Sequence, residues 1–229
     1  ISKAERISVT FINDAVAEAE LKKYDGNTGI AILSVDKSQL DSATLSAITV
    51  AQIGNSNTVS KGQIVIALGS PLGTSYSILS GSITSRGNEI TTLDNNYSVF
   101  TTDIVGSKNG SGILIDVNGE IVGLIMQDYS SAGASNTLTA VAISGVSELL
   151  NLLMAGEDIP YLGISGTTVT DKIADKYTVP KGVYVKEVAM DSPAMLAGIQ
   201  SGDVIISLDG EEINSMSAYS QKLLTLIPG

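Results

Sequence analysis

The sequence predicts a mainly β chain in two domains, and three observations carry that reading. Residues 1–140 hold short apolar runs at roughly ten-residue spacing, each closed by turn residues. Helical periodicity is nearly absent until Ser144. From Tyr161 the texture changes to alternating strand and helix patterns over about seventy residues, the size of a small α+β domain.

Taken in order, Ile7, Val9 and Phe11 alternate with polar residues, as a half-buried strand requires. Ile30-Ala31-Ile32-Leu33 and Gln63 to Leu68 are short continuous apolar runs suited to buried strands. Turn signals separate these runs at Asp25-Gly26-Asn27, Gly54-Asn55, Gly69-Ser70-Pro71, Asn95-Asn96 and Asn118-Gly119. Asn118-Gly119, between Ile113-Leu114-Ile115 and Ile121-Val122, is the clearest hairpin. Such spacing predicts an antiparallel sandwich or barrel. Ser144 to Ala155 then reads as a helix, with Leu149, Leu150, Leu152 and Leu153 apolar, Ser144 or Ser147 as its cap, and Gly156 as its stop. Glu157-Asp158-Ile159-Pro160 reads as a linker. Beyond it, helices are expected at Thr170–Tyr177, after Ser192-Pro193 and at Ser215–Leu226, with strands at Val183–Val188 and Val204–Leu208. The expected domains are 1–156 and 157–229.

Composition narrows the function. The 229 residues are 43% hydrophobic and 16% charged, so bulk disorder is excluded. The longest aliphatic run, Ile64 to Leu68, is far short of the ~18 residues a membrane span needs. A net charge of −11 gives no general attraction for phosphate backbones, so nucleic acid is not an expected partner. The chain contains no cysteine and no histidine. Thiol catalysis is excluded, and the usual base for a serine nucleophile is missing from these residues. Acidic residues are scattered without calcium-loop spacing, so neither a metal nor another cofactor is expected. The chain opens at Ile1 without Met and closes on the turn-like Pro228-Gly229, and is expected to be part of a longer protein.

Asp191-Ser192-Pro193-Ala194, Ala197-Gly198-Ile199, Gly202-Asp203-Val204-Ile205 and Asp209-Gly210 form a dense series at fixed spacing. The series resembles a PDZ domain. Most of these residues build turns and helix ends. The resemblance implies a binding role for Tyr161, Leu162, Gly163 and Ile164 as a carboxylate-binding loop and the start of a peptide-binding strand. Tyr219 and Leu223, four residues apart, either line the opposite wall of the groove or pack in the core. The family's domain usually continues for another strand after such a Pro-Gly, so the last strand is expected to be missing.

Gln63-Ile64-Val65-Ile66-Ala67-Leu68-Gly69-Ser70-Pro71-Leu72-Gly73, followed by Ser80-Gly81-Ser82-Ile83-Thr84-Ser85, resembles a segment pair of HtrA/Deg-type trypsin-like serine proteases. Thr102-Asp103, Asp116 to Gly123 and Ala140 to Ser144 continue the match across essentially the whole chain. The resemblance implies a trypsin-like double β-barrel lacking its first strands, followed by the PDZ domain. It also implies a serine endopeptidase of bacterial envelopes acting on unfolded or misfolded proteins, anchored to the membrane by a segment outside these residues, with a trimer as the expected homo-oligomer.

The catalytic motifs depart from that family. Aligning Ala4 to Val9 places the family's His just before Ile1. Thr28 to Val35 matches the triad-Asp segment, with Gly29 at the Asp position; Asp25 lies four residues away at a turn. The nucleophile motif corresponds to Ser107-Lys108-Asn109-Gly110-Ser111-Gly112. Counting forward from Thr102-Asp103 gives Ser111 as the nucleophile, with Asn109 and Gly110 in the oxyanion loop. Counting back from Asn118-Gly119 gives Gly110 instead. A purely polar loop is the competing reading. Leu124, Ile125 and Met126 are the implied specificity pocket. Replacing a triad carboxylate costs roughly 10⁴ in turnover, so weak or absent proteolysis is expected. The alternative is a non-catalytic scaffold or holdase that binds unfolded polypeptides or C-terminal peptides.

Overall fold

A computed structural model describes residues 4–130 and 136–228; Ile1 and Gly229, singled out above, lie outside the described residues. Two compact units divide the chain. Residues 1–50, 148–160 and 227–229 form the first, and residues 51–147 and 161–226 the second. The boundary expected after residue 156 therefore falls inside the first unit, because 148–160 groups with residues 1–50.

In the first unit, β1 (Ile7–Thr10), β2 (Val16–Tyr24) and β3 (Ala31–Ser34) form an antiparallel sheet in the order β1-β2-β3. Ala17 and Ala19 are buried on one face of β2, while Val16, Glu18 and Glu20 alternate outward. A helix not expected from the sequence, α1 (Ser42–Ala47), starts where the Asp41 side chain accepts the Thr44 N–H at 2.7 Å. Its six residues are too few to show an apolar stripe. The expected 144–155 helix is shorter, α2 (Ser147–Ala155), because Ile143–Gly145 forms a tighter 3₁₀ turn before it.

The second unit contains β4 (Ile64–Ser70), β5 (Ser77–Thr91), β6 (Asn96–Val105), β7 (Ser111–Ile115), β8 (Ile121–Met126) and β9 (Thr137–Ala142). These strands close a barrel in the order β4-β5-β6-β9-β8-β7, every neighbouring pair antiparallel. Val65, Ala67, Ile83, Phe100, Leu114, Ile125, Leu138 and Ala140 fill its interior. At 15 residues, β5 is longer than the short strands expected, and register irregularities at Ile83/Ser85 and Ser85/Asn88 bend it. The β7–β8 hairpin is held by Asp116, whose Oδ1 accepts the N–H groups of Asn118 (2.8 Å) and Glu120 (3.0 Å).

Residues 161–226 of the same unit form β10 (Ile164–Val169), α3 (Asp171–Tyr177), β11 (Gly182–Val188), α4 (Pro193–Leu196), β12 (Val204–Ile205), β13 (Ser207–Leu208), β14 (Glu211–Glu212) and α5 (Met216–Leu224). The single strand expected at 204–208 is split, since β12 pairs with β11 whereas β13 pairs with β14. Ser192 and Ser215 cap α4 and α5 by accepting the N–H groups of Met195 and Ala218. Ile164, Val183, Val185, Ala194, Ile213, Met216, Tyr219 and Leu223 make the core. In the sheet β10-β11-β12, β10 is an edge strand.

Candidate functional site

Ser111 opens β7 and is exposed. It lines an open cleft of about 510 Å³ with Leu68, Gly69, Ser70, Ser75, Tyr76, Ser77, Ile78 and Gly112. The lining set holds hydroxyls and apolar groups but no carboxylate, amine or imidazole. Gly69 and Gly112 face each other across β4 and β7. A Cβ on Gly69 would lie 2.9 Å from the Gly112 Cα, so the close strand approach beside Ser111 requires glycine at that pair.

The loop before Ser111 is folded around Ser107. The Ser107 N–H donates to the Pro71 carbonyl at 2.9 Å, and the Ser107 carbonyl accepts the Gly110 N–H at 2.8 Å. The Asn109 N–H donates to the Ser107 Oγ at 3.3 Å. Both oxyanion-loop candidates therefore direct their N–H groups into their own turn. Gln127, which the sequence reading passed over, fixes this turn from behind. It is buried, its Nε2 donates to the carbonyls of Ser107 (3.2 Å) and Thr137 (3.3 Å), and its Oε1 accepts the Thr139 N–H (2.8 Å). A glutamine at the end of a strand carries no sequence signal for such bridging.

The other residues named from the sequence divide clearly. Gly29 has φ +78° in a turn where its N–H donates to the Asp25 carbonyl at 2.9 Å. The Asp25 carboxylate accepts the N–H groups of Asn27 and Thr28 and the Thr28 hydroxyl, so both oxygens serve their own turn. Along β8, Ile125 points into the barrel core, while Leu124 and Met126 are half-buried on the alternate face. The three residues grouped as a specificity pocket thus do not share one face of the strand.

The strongest polar constellation lies at residues 161–164. The carbonyls of Leu162 and Gly163 accept the N–H groups of Ala194 (2.9 Å) and Ala189 (2.8 Å). Turning those carbonyls one way leaves the N–H groups of Leu162, Gly163 and Ile164 converging the other way, which is an anion cradle. Gly163 has φ +90°, and a Cβ there would lie 2.8 Å from the Tyr161 hydroxyl and overlap Ser192, so no larger residue fits. The cradle holds a carboxylate. Asp94 Oδ2 accepts the N–H groups of Leu162 (2.9 Å) and Gly163 (2.8 Å), and Oδ1 accepts those of Ile164 (3.1 Å) and the Tyr219 hydroxyl (2.7 Å).

Asp94 sits in the β5–β6 turn, and only its neighbours Asn95-Asn96 stood out in the sequence. A short acidic turn residue carries no mark of partners 68 to 125 positions away. Tyr219 is wholly buried, and burial, followed by the charge and hydrogen bond of Asp94, pushes its phenol well above the ordinary tyrosine range. Leu223 is also buried. Both pack in the core of this segment, and the Tyr219 hydroxyl reaches the cradle through Asp94. Tyr161 is about half exposed; partial burial, then the Asp94 charge, raises its phenol as well.

Comparison with known proteins gives these features a lineage. A trypsin-like peptidase domain family model matches residues 1–124, and a PDZ domain model matches residues 160–229. The chain is 31% identical over 219 residues to the "Probable periplasmic serine endoprotease DegP-like" of Pseudomonas savastanoi, covering 93% of this chain and 44% of that relative. It is 28% identical over 235 residues to the periplasmic pH-dependent serine endoprotease DegQ of Escherichia coli, covering 100% and 50%. The chain thus spans about half the length of these curated relatives. Among solved structures, the HtrA-type protease AlgW with a decapeptide superposes with a TM-score of 0.69 at 23% identity, covering 100% of this chain and 70% of the other. The serine endoprotease from Yersinia pestis gives 0.62 at 25% identity, covering 100% and 74%. With the barrel, the cradle and these matches together, the chain belongs to the trypsin-like peptidases, as an HtrA/Deg-type member in which a PDZ domain follows the peptidase domain.

Proposed function

We propose that this chain is an HtrA-type serine endopeptidase homologue of an extracytoplasmic bacterial compartment that acts on unfolded or misfolded polypeptides with proteolysis weakened or lost. The observation that carries the weakened chemistry is the turn before Ser111. The Asn109 and Gly110 N–H groups bond to Ser107, so neither is free for a developing oxyanion. One missing oxyanion donor costs about 10²–10³ in turnover. The periplasmic description of the relatives supports the compartment.

A second reading, a non-catalytic scaffold or holdase, is favoured by the cradle at Leu162 to Ile164. A C-terminal carboxylate fits the three converging N–H groups, and the edge of β10 can accept a peptide strand beside it. Hydrolysis of fluorescently quenched casein by the wild-type chain and by Ser111→Ala separates the readings. Equal, background-level rates are expected. Cleavage that disappears in Ser111→Ala would overturn the proposal of lost catalysis. Binding of unfolded casein without turnover would support the scaffold.

A further inference from the structure

We propose that Asp94 is an internal ligand of the Leu162-Gly163-Ile164 cradle, and that a C-terminal carboxylate enters there only by displacing it. The proposal rests on the peptide-binding reading above and adds its regulation. The likeness of Asp94 to a bound peptide end is detailed. Its carboxylate accepts all three cradle N–H groups and the Tyr219 hydroxyl. Its own N–H donates to the Ile164 carbonyl at 2.7 Å, the bond that the last residue of an added strand would make. Two residues on, the Asn96 side-chain amide donates to the Gly166 carbonyl at 3.3 Å, following the two-residue period of the β10 edge. On the other side, the Ser220 hydroxyl of α5 donates to the Asp94 carbonyl at 2.7 Å. Acid group, main-chain donor and edge-strand spacing therefore occupy one ligand position together.

The turn carrying Asp94 is closed by its own bonds. The Thr92 N–H donates to the Asn95 carbonyl at 2.9 Å, and the Thr92 hydroxyl donates to the same oxygen at 3.0 Å. Release of Asp94 therefore leaves the β5–β6 connection intact and exposes the cradle. The contact joins the barrel to the peptide-binding segment, so a ligand that takes the cradle also frees the turn of the barrel. If the cradle is open in about one molecule in ten or fewer, removing the lock raises apparent affinity about tenfold or more.

The test uses the full chain as wild type, Asp94→Gly and Asp94→Asn. Glycine suits the φ of +59° at this position, and asparagine keeps both shape and tolerance of that backbone while removing the charge. Amide hydrogen exchange at Leu162, Gly163 and Ile164 is measured without ligand. A fluorescein-labelled octapeptide ending in a free-carboxylate valine, and its C-terminal amide, are then titrated by anisotropy. Expected are faster exchange at the three amides in Asp94→Gly, free-acid affinity about tenfold or more above wild type, a smaller gain in Asp94→Asn, and no gain for the amide. Unchanged exchange, or equal free-acid affinity for wild type and Asp94→Gly, would overturn the internal ligand. Faster exchange with no preference for the free acid would overturn the peptide-binding reading and the displacement step, while supporting Asp94 as the occupant.

Discussion

Replacing Gly112 with alanine tests whether the close approach of β4 and β7 sets the position of Ser111. Gly112 has φ +138°, where an L side chain is strained by about 1–3 kcal/mol. A Cβ there would also overlap the Leu68 carbonyl oxygen of the facing strand. Backbone cannot rotate aside as a side chain can, so the strands must part, an overpacking cost of about 1–3 kcal/mol. The two together give about 2–6 kcal/mol. At roughly 2–4 °C per kcal/mol for a domain of this size, the melting temperature of the barrel should fall by about 4–24 °C. Gly119→Ala is the internal control. Its φ is +83°, yet nothing lies within 4 Å of its ideal Cβ, leaving only a left-handed cost of about 1–2 kcal/mol. Urea unfolding followed by circular dichroism compares the two variants, with equal m-values required for a clean reading. Equal destabilisation of both would refute the steric argument and leave backbone strain alone to explain Gly112.

Other expectations use the same measurements. Leu114→Ala, at a fully buried position in the barrel core, should cost about 2–5 kcal/mol in urea unfolding. Tyr219→Phe keeps the buried ring but removes the hydroxyl bond to Asp94, and should cost about 1–3 kcal/mol while accelerating exchange at Ile164. Asp116 is held below the ordinary carboxylate range, first by the Glu120 N–H and then by Asn118 and Gly119, against an opposing effect of burial. Its contribution is therefore complete above the unfolded carboxylate pKa and is lost as pH falls through the lowered folded value. Melting curves across acidic pH should fall less steeply for Asp116→Asn than for wild type.

What the sequence revealed depended on the range of the interaction. Asn118-Gly119, Ser192-Pro193 and the alternating residues of β1 announce themselves because turns, caps and half-buried strands are decided by a few neighbours. Gly163 was singled out through the resemblance of its segment to a PDZ loop, and its φ of +90° is a conformation that suits glycine. The six-residue α1 was hidden, because its start depends on the Asp41 cap and it is too short for a helical period. The break between β12 and β13 was hidden because the two halves choose different partners. Ile125 was grouped with Leu124 and Met126 by motif, although strand alternation sends it to the opposite face. Gln127 and Asp94 act across the fold, and no local pattern distinguishes them from ordinary polar residues of a strand end and a turn.

The reason one side chain can stand where the proposed peptide terminus would bind lies in the geometry of aspartate. A terminal residue carries its carboxylate and its strand-forming N–H on one Cα. Asp94 carries both on one Cα as well, with a single methylene interposed, so its N–H still reaches Ile164 while its oxygens reach the cradle. The chain must nevertheless continue where a peptide would end. The φ of +59° makes that possible by turning the backbone away at the same residue, and the Ser220 hydroxyl donates to the main-chain carbonyl, which a terminus would not have in addition to its carboxylate. Glutamate at this position would push the carboxylate a further methylene from its own N–H and could not satisfy both partners without moving the turn. The cradle therefore selects for a carboxylate close to a main-chain donor, which describes a peptide's free C-terminus and an aspartate at a tight turn alike. The difference between them is tethering. Asp94 is held at high local concentration by β5 and β6, so a free peptide must compensate through contacts that Asp94 lacks, along the remaining edge of β10.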